Sequence, residues 1–194
     1  MRPLVSFEED ATALNSYEPV LVPGLLQTEE YARAIHTAGR HKVAPEFVDK
    51  WVAARMQRQR RLTAPNPLEL HVVVAEAALS LQVGGQEVLV GQLRRLVEAS
   101  QAPNITIQVL AADSCGSGGI AGNFTVLHFA DAKIDPPLGY FDGPLGGHMV
   151  SDEGGVVTLM NMFDDLRHMA LSEADSAEML VAVLEQQHRE DIHV

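Results

Sequence analysis

Tyr17-Glu-Pro-Val-Leu-Val-Pro-Gly-Leu-Leu-Gln-Thr-Glu-Glu-Tyr-Ala-Arg-Ala34 decides how the rest of the chain is read. Its first part is extended and apolar and stops at Pro23-Gly24. Thr28 then offers a hydroxyl to the first free amides of a helix, with Tyr31, Ala34, Ile35 and Ala38 at helical spacing and Gly39 as the stop. The run therefore passes from an extended segment into a helix. The apolar stretch Val20–Thr28 suits the wall of a cavity, although it offers few polar contacts of its own.

Toward the C-terminus, Pro45 suits the first turn of a second helix. Phe47, Val48, Trp51, Val52 and Met56 form its apolar stripe, and Phe47, Trp51 and Met56 are expected to enter the main core. Thr63-Ala-Pro-Asn-Pro67 ends it. Leu68 to Val74 is rich in β-branched residues and reads as a strand. A short helix over Ala75–Leu81 follows, then a longer one over Gln86–Gln101 with Val88, Leu89, Leu93, Leu96 and Val97 on one face. Strands are predicted at Ile105–Leu110, Asn123–Phe129, Leu138–Asp142 and His148–Ser151, the last two joined by Gly143-Pro-Leu-Gly-Gly147. Two helices close the chain. Val156, Leu159, Met160, Phe163 and Leu166 line the first, and Ser172 with Asp175 starts the second. Helices, a mixed middle, strands and helices in that order make an α+β protein, read as a single domain over residues 1–194.

Several motifs in fixed order resemble one family. The opening run, Val52-Ala-Ala-Arg-Met-Gln-Arg-Gln59, Ala75-Glu-Ala-Ala-Leu79 with Val83-Gly-Gly85, Pro103-Asn104, Gly122-Asn-Phe-Thr-Val-Leu127 and Phe163 with Leu166 are similar to blocks of the domain of unknown function 5753. That domain is the C-terminal part of actinobacterial Xre-type helix-turn-helix regulators, described as toxin–antitoxin-like. Ala75, Leu81 and Asp142 stand where the family commonly has Asp, Arg and Glu, so a site built on those groups would be altered or lost here. The chain starts close to where that domain starts, and the expectation is a stand-alone copy without its DNA-reading module.

Composition narrows the partners. The 194 residues carry 14 Lys and Arg against 26 Asp and Glu, a net charge of −12, which disfavours direct contact with nucleic acid. Eight of the 14 basic residues lie between Arg33 and Arg61, and ten acids follow Ser151. These are either solvated helix faces or a docking pair within or between subunits, and a homodimer stays open. No apolar run is long enough to span a bilayer, and acids at Glu8, Glu9 and Asp10 interrupt any leader-like segment. One cysteine excludes an internal disulfide and suits a reducing cytoplasm.

No nucleotide, hydrolase or metalloprotease motif is present, and neither a cofactor nor a metal is expected. The catalytic candidates are His128, Asp142, Tyr140 and Glu76. His128 would serve as base and Asp142 as its orienting carboxylate, on a strand face shared with Tyr140. His71, His148, Arg55, Arg58, Gln59 and Cys115 are the candidate ligand contacts. Cys115 lies in Ser114-Cys-Gly-Ser-Gly-Gly-Ile-Ala-Gly122, a loop placed at the mouth of a pocket. Each has a plainer alternative: satisfied core histidines, a helix-start carboxylate at Glu76, salt bridges at Arg55 and Arg58, an adventitious cysteine at Cys115. The resemblance implies a regulatory module that binds a small-molecule ligand or a regulator protein. The alternative is an enzyme of specialised metabolism built on the same domain. The sequence leaves open which of these applies.

Overall fold

In the computed structural model, residues 2–38, 44–114, 122–143 and 146–191 are described. The chain begins with a helix, α1 (Arg2–Asp10), and enters the sheet through β1 (Ala13–Glu18). Residues 19–23 leave the sheet and lead into a single 3-10 turn at Gly24–Leu26, so the extended part of the signature run is a strand only as far as Glu18. The helix predicted after it is α2 (Glu29–Thr37), capped by the Thr28 hydroxyl accepting from the Tyr31 amide at 3.2 Å. Then come α3 (Pro45–Gln59), β2 (Glu69–Ala75), α4 (Glu76–Ser80), α5 (Gln86–Ala99) and β3 (Ile105–Leu110). The strands β4 (Phe124–His128), β5 (Leu138–Gly143) and β6 (Gly146–Val150) precede the closing helices α6 (Glu153–Met169) and α7 (Glu173–Asp191). The α+β architecture with two C-terminal helices is as the sequence indicates.

Among the described residues the six strands form one mixed sheet in the order β3-β2-β1-β4-β5-β6. The first three run parallel and β4, β5 and β6 are antiparallel to their neighbours. Parallel pairs need crossovers, and helices α2 to α5 supply them. Register decides which side chains share a face. Asn15 faces His71 and Val126 across the sheet, while Thr125 faces Ser16 and Tyr140. One face therefore carries Leu14, Ser16, Glu18, Thr125, Tyr140 and Asp142, and the other carries Asn15, Tyr17, His71, Val126 and His128.

The first face is covered by α5, α7 and the N-terminal segments. Leu14, Leu70, Val72 and Ile107 pack there against Leu25, Leu26, Leu89, Leu93 and Leu180. The second face is covered by α6, where Tyr17, Val73, Phe124 and Val126 meet Phe163 and Leu166. The β3 edge, which would otherwise present free backbone groups, is closed by the α6–α7 junction. The Val109 amide donates to Ser176 Oγ at 2.9 Å, and the Leu171 amide donates to the Val109 carbonyl at 2.9 Å.

One packing expectation is corrected. The buried side of α3 is Val48 and Val52, which form a small cluster with Ala32, with Met56 against it. Phe47 is 50% exposed. Trp51 makes tilted ring contacts with Phe47 and, at 5.2 Å, with His36 instead of entering the main core. Two apolar stripes compete on this helix, and the narrower β-branched one fits the Ala32 face of α2.

Gly84 explains the Val83-Gly-Gly85 motif. Its φ is +79°, and a β-carbon there would come within 2.6 Å of the Ala34 side chain, so only glycine lets the start of α5 lie against α2.

Candidate functional site

The signature run is fixed by buried amides. Gln92, fully buried on α5, accepts from the Thr28 amide and donates to the Leu26 carbonyl, each at 2.8 Å. Gln59 on α3 donates to the carbonyls of Gly24 at 3.0 Å and Gln27 at 2.7 Å. Gln27 donates to the Val22 carbonyl at 2.6 Å and accepts from Arg55 Nη1 at 2.5 Å. A non-helical stretch carries backbone groups that need partners. Here three glutamines supply them and hold residues 22–28 in one shape.

That stretch walls a cleft of about 380 Å3. The first sheet face forms the opposite side with Ser16, Glu18, Thr125, Tyr140 and Asp142, and Arg55, Arg58, Leu4 and Glu8 close it from α3 and α1. Five of these residues are ionisable with formal charge. Two cancel: Arg58 donates to Glu8 through Nε at 3.0 Å and Nη2 at 2.6 Å, a bidentate pair with the Glu8 side chain only 2% exposed. The other three differ in their company. Asp142 accepts the Tyr140 hydroxyl at 2.5 Å. Glu18 accepts from Ser16 Oγ at 3.2 Å. Arg55 donates an N–H to the neutral Gln27. Glu18 and Arg55 act on one another electrostatically but form no ion pair.

Burial dominates the protonation of this lining. It pushes the Glu18 carboxyl up to about 8, against the weaker effects of the Ser16 hydrogen bond and the Arg55 charge, with Asp142 adding to the rise. Glu18 is therefore protonated at neutral pH while the cleft is empty. Burial, with Arg58 nearby, pulls Arg55 below the usual guanidinium range, although a guanidinium stays charged. Burial and the bond to Asp142 push the Tyr140 phenol up to about 12, so its hydroxyl remains a donor.

The family described as Domain of unknown function (DUF5753) matches residues 1–182. The chain belongs to it. No curated protein and no solved structure matches the chain. In this DUF5753 chain the signature run is thus both the diagnostic motif and the wall of the cleft.

The constellation expected from the sequence divides between the two sheet faces. Tyr140 and Asp142 line the cleft. His128 does not join them, because Tyr140 is registered with Thr125 and an odd offset of three residues sends His128 to the opposite face. There its Nε2 meets Asn15 Nδ2 at 3.2 Å, and burial lowers its basicity. His71 is on that face too, bonded to Gln108 Oε1 at 2.7 Å and edge-on to Phe163. His148 stacks on Phe141, again away from the cleft. Glu76 stands at the start of α4 and accepts the Ala112 amide at 2.9 Å, outside the cleft lining. Arg55 and Arg58 are in the cleft, and Gln59 serves the run's backbone. Cys115 and the rest of the glycine-rich loop over 115–121 lie outside the described residues. Among the described residues no cluster of three or more His, Cys, Asp or Glu is placed to hold a metal ion, and no helix is long and apolar enough to cross a membrane. The basic segment's ion pairs, among those described, are with Glu29, Asp49 and Glu8, not with the C-terminal acids.

Ser16, Glu18 and Gln27 were not among the sequence candidates. Their signal was parity: Glu18 is two residues from Ser16 and four from Leu14, so a strand over Ala13–Glu18 sets a carboxylate beside a core leucine.

Proposed function

We propose that this chain is a ligand-binding regulatory module whose small-molecule site is the cleft between the signature run and the first sheet face. One observation carries the reading: a fixed, partly apolar cavity of about 380 Å3 is lined by Arg55, which among the described residues has no carboxylate partner, and by Glu18, whose carboxyl is bonded only to Ser16. Folding alone gains nothing from half-burying the Arg55 guanidinium without a carboxylate and the Glu18 carboxyl at the cost of its ionisation, since burying charge costs stability unless it is matched. Ligand sites are cavities of this size order, mostly apolar with a few convergent polar groups. The regulatory role comes from the family resemblance, in which such a domain accompanies a DNA-binding module; here a bound ligand would alter contact with a regulator protein. The net charge of −12 supports action through protein rather than direct hold on DNA.

The test is a fragment screen by methyl NMR, reading Val22, Leu25 and Ile35 in the cleft wall against Val156 and Val157 on α6. Shifts concentrated in the wall support the reading. A full fragment library that leaves those three methyls unmoved overturns it.

A second reading is favoured by Glu18. A carboxyl protonated at neutral pH beside a second carboxylate is the arrangement that acid–base enzymes use. In that reading Glu18 gives a proton and Asp142 with Tyr140 accepts or orients; His128 has no part. Conversion of a bound fragment to product, lost in Glu18→Gln while binding persists, would select the enzyme.

A further inference from the structure

We propose that the cleft is shaped for a zwitterion of the amino-acid class, with its ammonium on the Glu18 and Asp142 side, its carboxylate on Arg55, and an apolar body against the signature run. This rests on the reading of the cleft as a ligand site and adds the chemistry of the occupant.

The argument is one of unmatched groups. Glu8 and Arg58 neutralise each other through two hydrogen bonds and need nothing further. Among the described residues Glu18 keeps one carboxyl oxygen without a protein hydrogen bond, since Oε1 receives the Ser16 hydroxyl. Arg55 spends one N–H on the neutral Gln27 amide and, among the described residues, has no carboxylate within 4.0 Å. Both residues line the same opening, and they come from different elements, β1 and α3. The Arg55 guanidinium lies against Gly24, its Nε 3.6 Å from where a β-carbon would stand, and the bond to Gln27 holds it there, away from Glu18.

Each simpler ligand leaves something unsatisfied. A plain cation would meet Glu18 and Asp142 and repel Arg55. A plain anion would meet Arg55 and press against two acids. A neutral sugar-like molecule would use hydrogen bonds but leave the Arg55 charge without a counterion. A molecule with both signs close together answers both ends at once. The apolar part of the lining, Leu14, Val22, Leu25 and Ile35, asks for a hydrocarbon body. The volume lies near the lower end of the roughly 300–1,000 Å3 range of ligand sites, which suits a single amino acid or a molecule of similar size better than a peptide.

A proton follows from the same geometry. The groups facing Glu18 are Ser16 on its own strand, Asp142 on β5, Arg55 on α3 with the Arg58–Glu8 pair behind it, and Tyr31 on α2. In the empty cleft burial keeps Glu18 protonated to about pH 8. An ammonium beside it favours the ionised form. Binding at neutral pH therefore releases a proton, and affinity rises with pH up to about 8.

The experiment is a titration of the full chain, by methyl NMR and calorimetry, with the standard L-amino acids and, for each apolar one, its amine and its carboxylic acid alone. L-Leucine, isopentylamine and 4-methylpentanoate form one such set. The expected result is that at least one apolar amino acid moves the Val22, Leu25 and Ile35 methyls. Its two halves should bind roughly tenfold or more weakly. Glu18→Gln should weaken the amino acid and abolish proton release, and Arg55→Lys, the conservative variant that retains folding if Arg55→Met does not, should weaken it less than Arg55→Met. An amine or an acid that binds as tightly as the zwitterion overturns the proposal and leaves the cleft as a single-sign ligand site. Undiminished binding of the amino acid by Glu18→Gln also overturns it. If no member of the panel moves the three methyls the zwitterion is excluded; the reading of the cleft as a site then stands or falls with the wider fragment library.

Discussion

The two faces of the sheet hold comparable numbers of polar side chains and treat them in opposite ways. On the α6 face, His71 bonds Gln108, whose amide donates to the Arg167 carbonyl at 3.1 Å and the Leu171 carbonyl at 2.8 Å, and Asn15 bonds His128. These bonded groups complete a neighbour or close a helix end, as the last carbonyls of α6 require. On the cleft face, Glu18 and Arg55 are left with incomplete partners beside a cavity. The difference teaches that residue type alone does not mark a site. Of three histidines singled out for chemistry, His71 and His128 are bonded on the α6 face and His148 stacks on Phe141, whereas a glutamate, a serine and a glutamine not singled out frame the opening.

The strongest way to break this comparison is at the one pair on the cleft face that is complete. Arg58→Ala leaves Glu8 buried at 2% side-chain exposure without its cation. The expected cost is about 3–5 kcal/mol, seen as a large fall in denaturation midpoint. The double variant Glu8→Gln with Arg58→Met should recover much of it. If Arg58→Ala melts like the parent, α1 does not close the cleft.

Glu18→Gln tests the incomplete side and should stabilise. A carboxyl that ionises near 4.5 in the unfolded chain and near 8 when folded keeps its proton longer in the native state. Between those values the unfolded state binds fewer protons, so the parent loses stability as pH rises from about 4.5 to about 8. Gln mimics the protonated acid. The variant should match the parent near pH 5 and exceed it by on the order of 3 kcal/mol at pH 8.5. Urea midpoints at the two pH values check this; an equal effect at both would mean that Glu18 is already solvated.

How far the sequence reaches is visible in these same residues. Helix starts were legible because caps are local: Thr28, and Ser172 with Asp175, bond their own helices within three residues. The order of elements from α2 onward was legible for the same reason, whereas α1 and the placement of β1 were not. Alternation within β4 and within β5 was also readable, placing His128 with Val126 and Tyr140 with Asp142. What fails is the relation between strands. A register is set by pairing across the sheet, and a shift of one residue exchanges the faces. Nothing within five or six residues of Tyr140 says that it stands opposite Thr125 rather than Val126. The stripe on α3 was ambiguous in the same way, because the partner that chooses between Trp51 and Val52 is Ala32 on another helix.

Gln108→Ala probes the fastened face at intermediate cost. It frees the Arg167 and Leu171 carbonyls and one His71 nitrogen. Leaving buried acceptors unmade costs about 1–3 kcal/mol, and the loss should appear as earlier hydrogen exchange at the α6–α7 junction. Cleft methyl shifts on adding any bound fragment should be those of the parent. A weakened fragment would mean that the two faces are coupled through β2.

The smallest effect, and the one that sharpens the contrast most, is expected at His128. Its contacts are one hydrogen bond to Asn15 and partial burial, so His128→Ala should cost about 1 kcal/mol and leave fragment binding unchanged. Its pH signature should run against that of Glu18. Burial lowers the basicity of His128, so the unfolded chain takes up its proton first as the solution is acidified. The stability that depends on the neutral ring is present above the ordinary histidine range and is lost as pH falls through it. The parent should thus gain stability on one face and lose it on the other as pH rises from about 5 to about 8. His128→Ala should steepen the net decline over that range, whereas Glu18→Gln should turn it into a rise. Denaturation midpoints at half-unit pH steps separate the two. A parallel profile for both variants would show that the faces titrate as one unit, and the division between fastening and site would then be wrong.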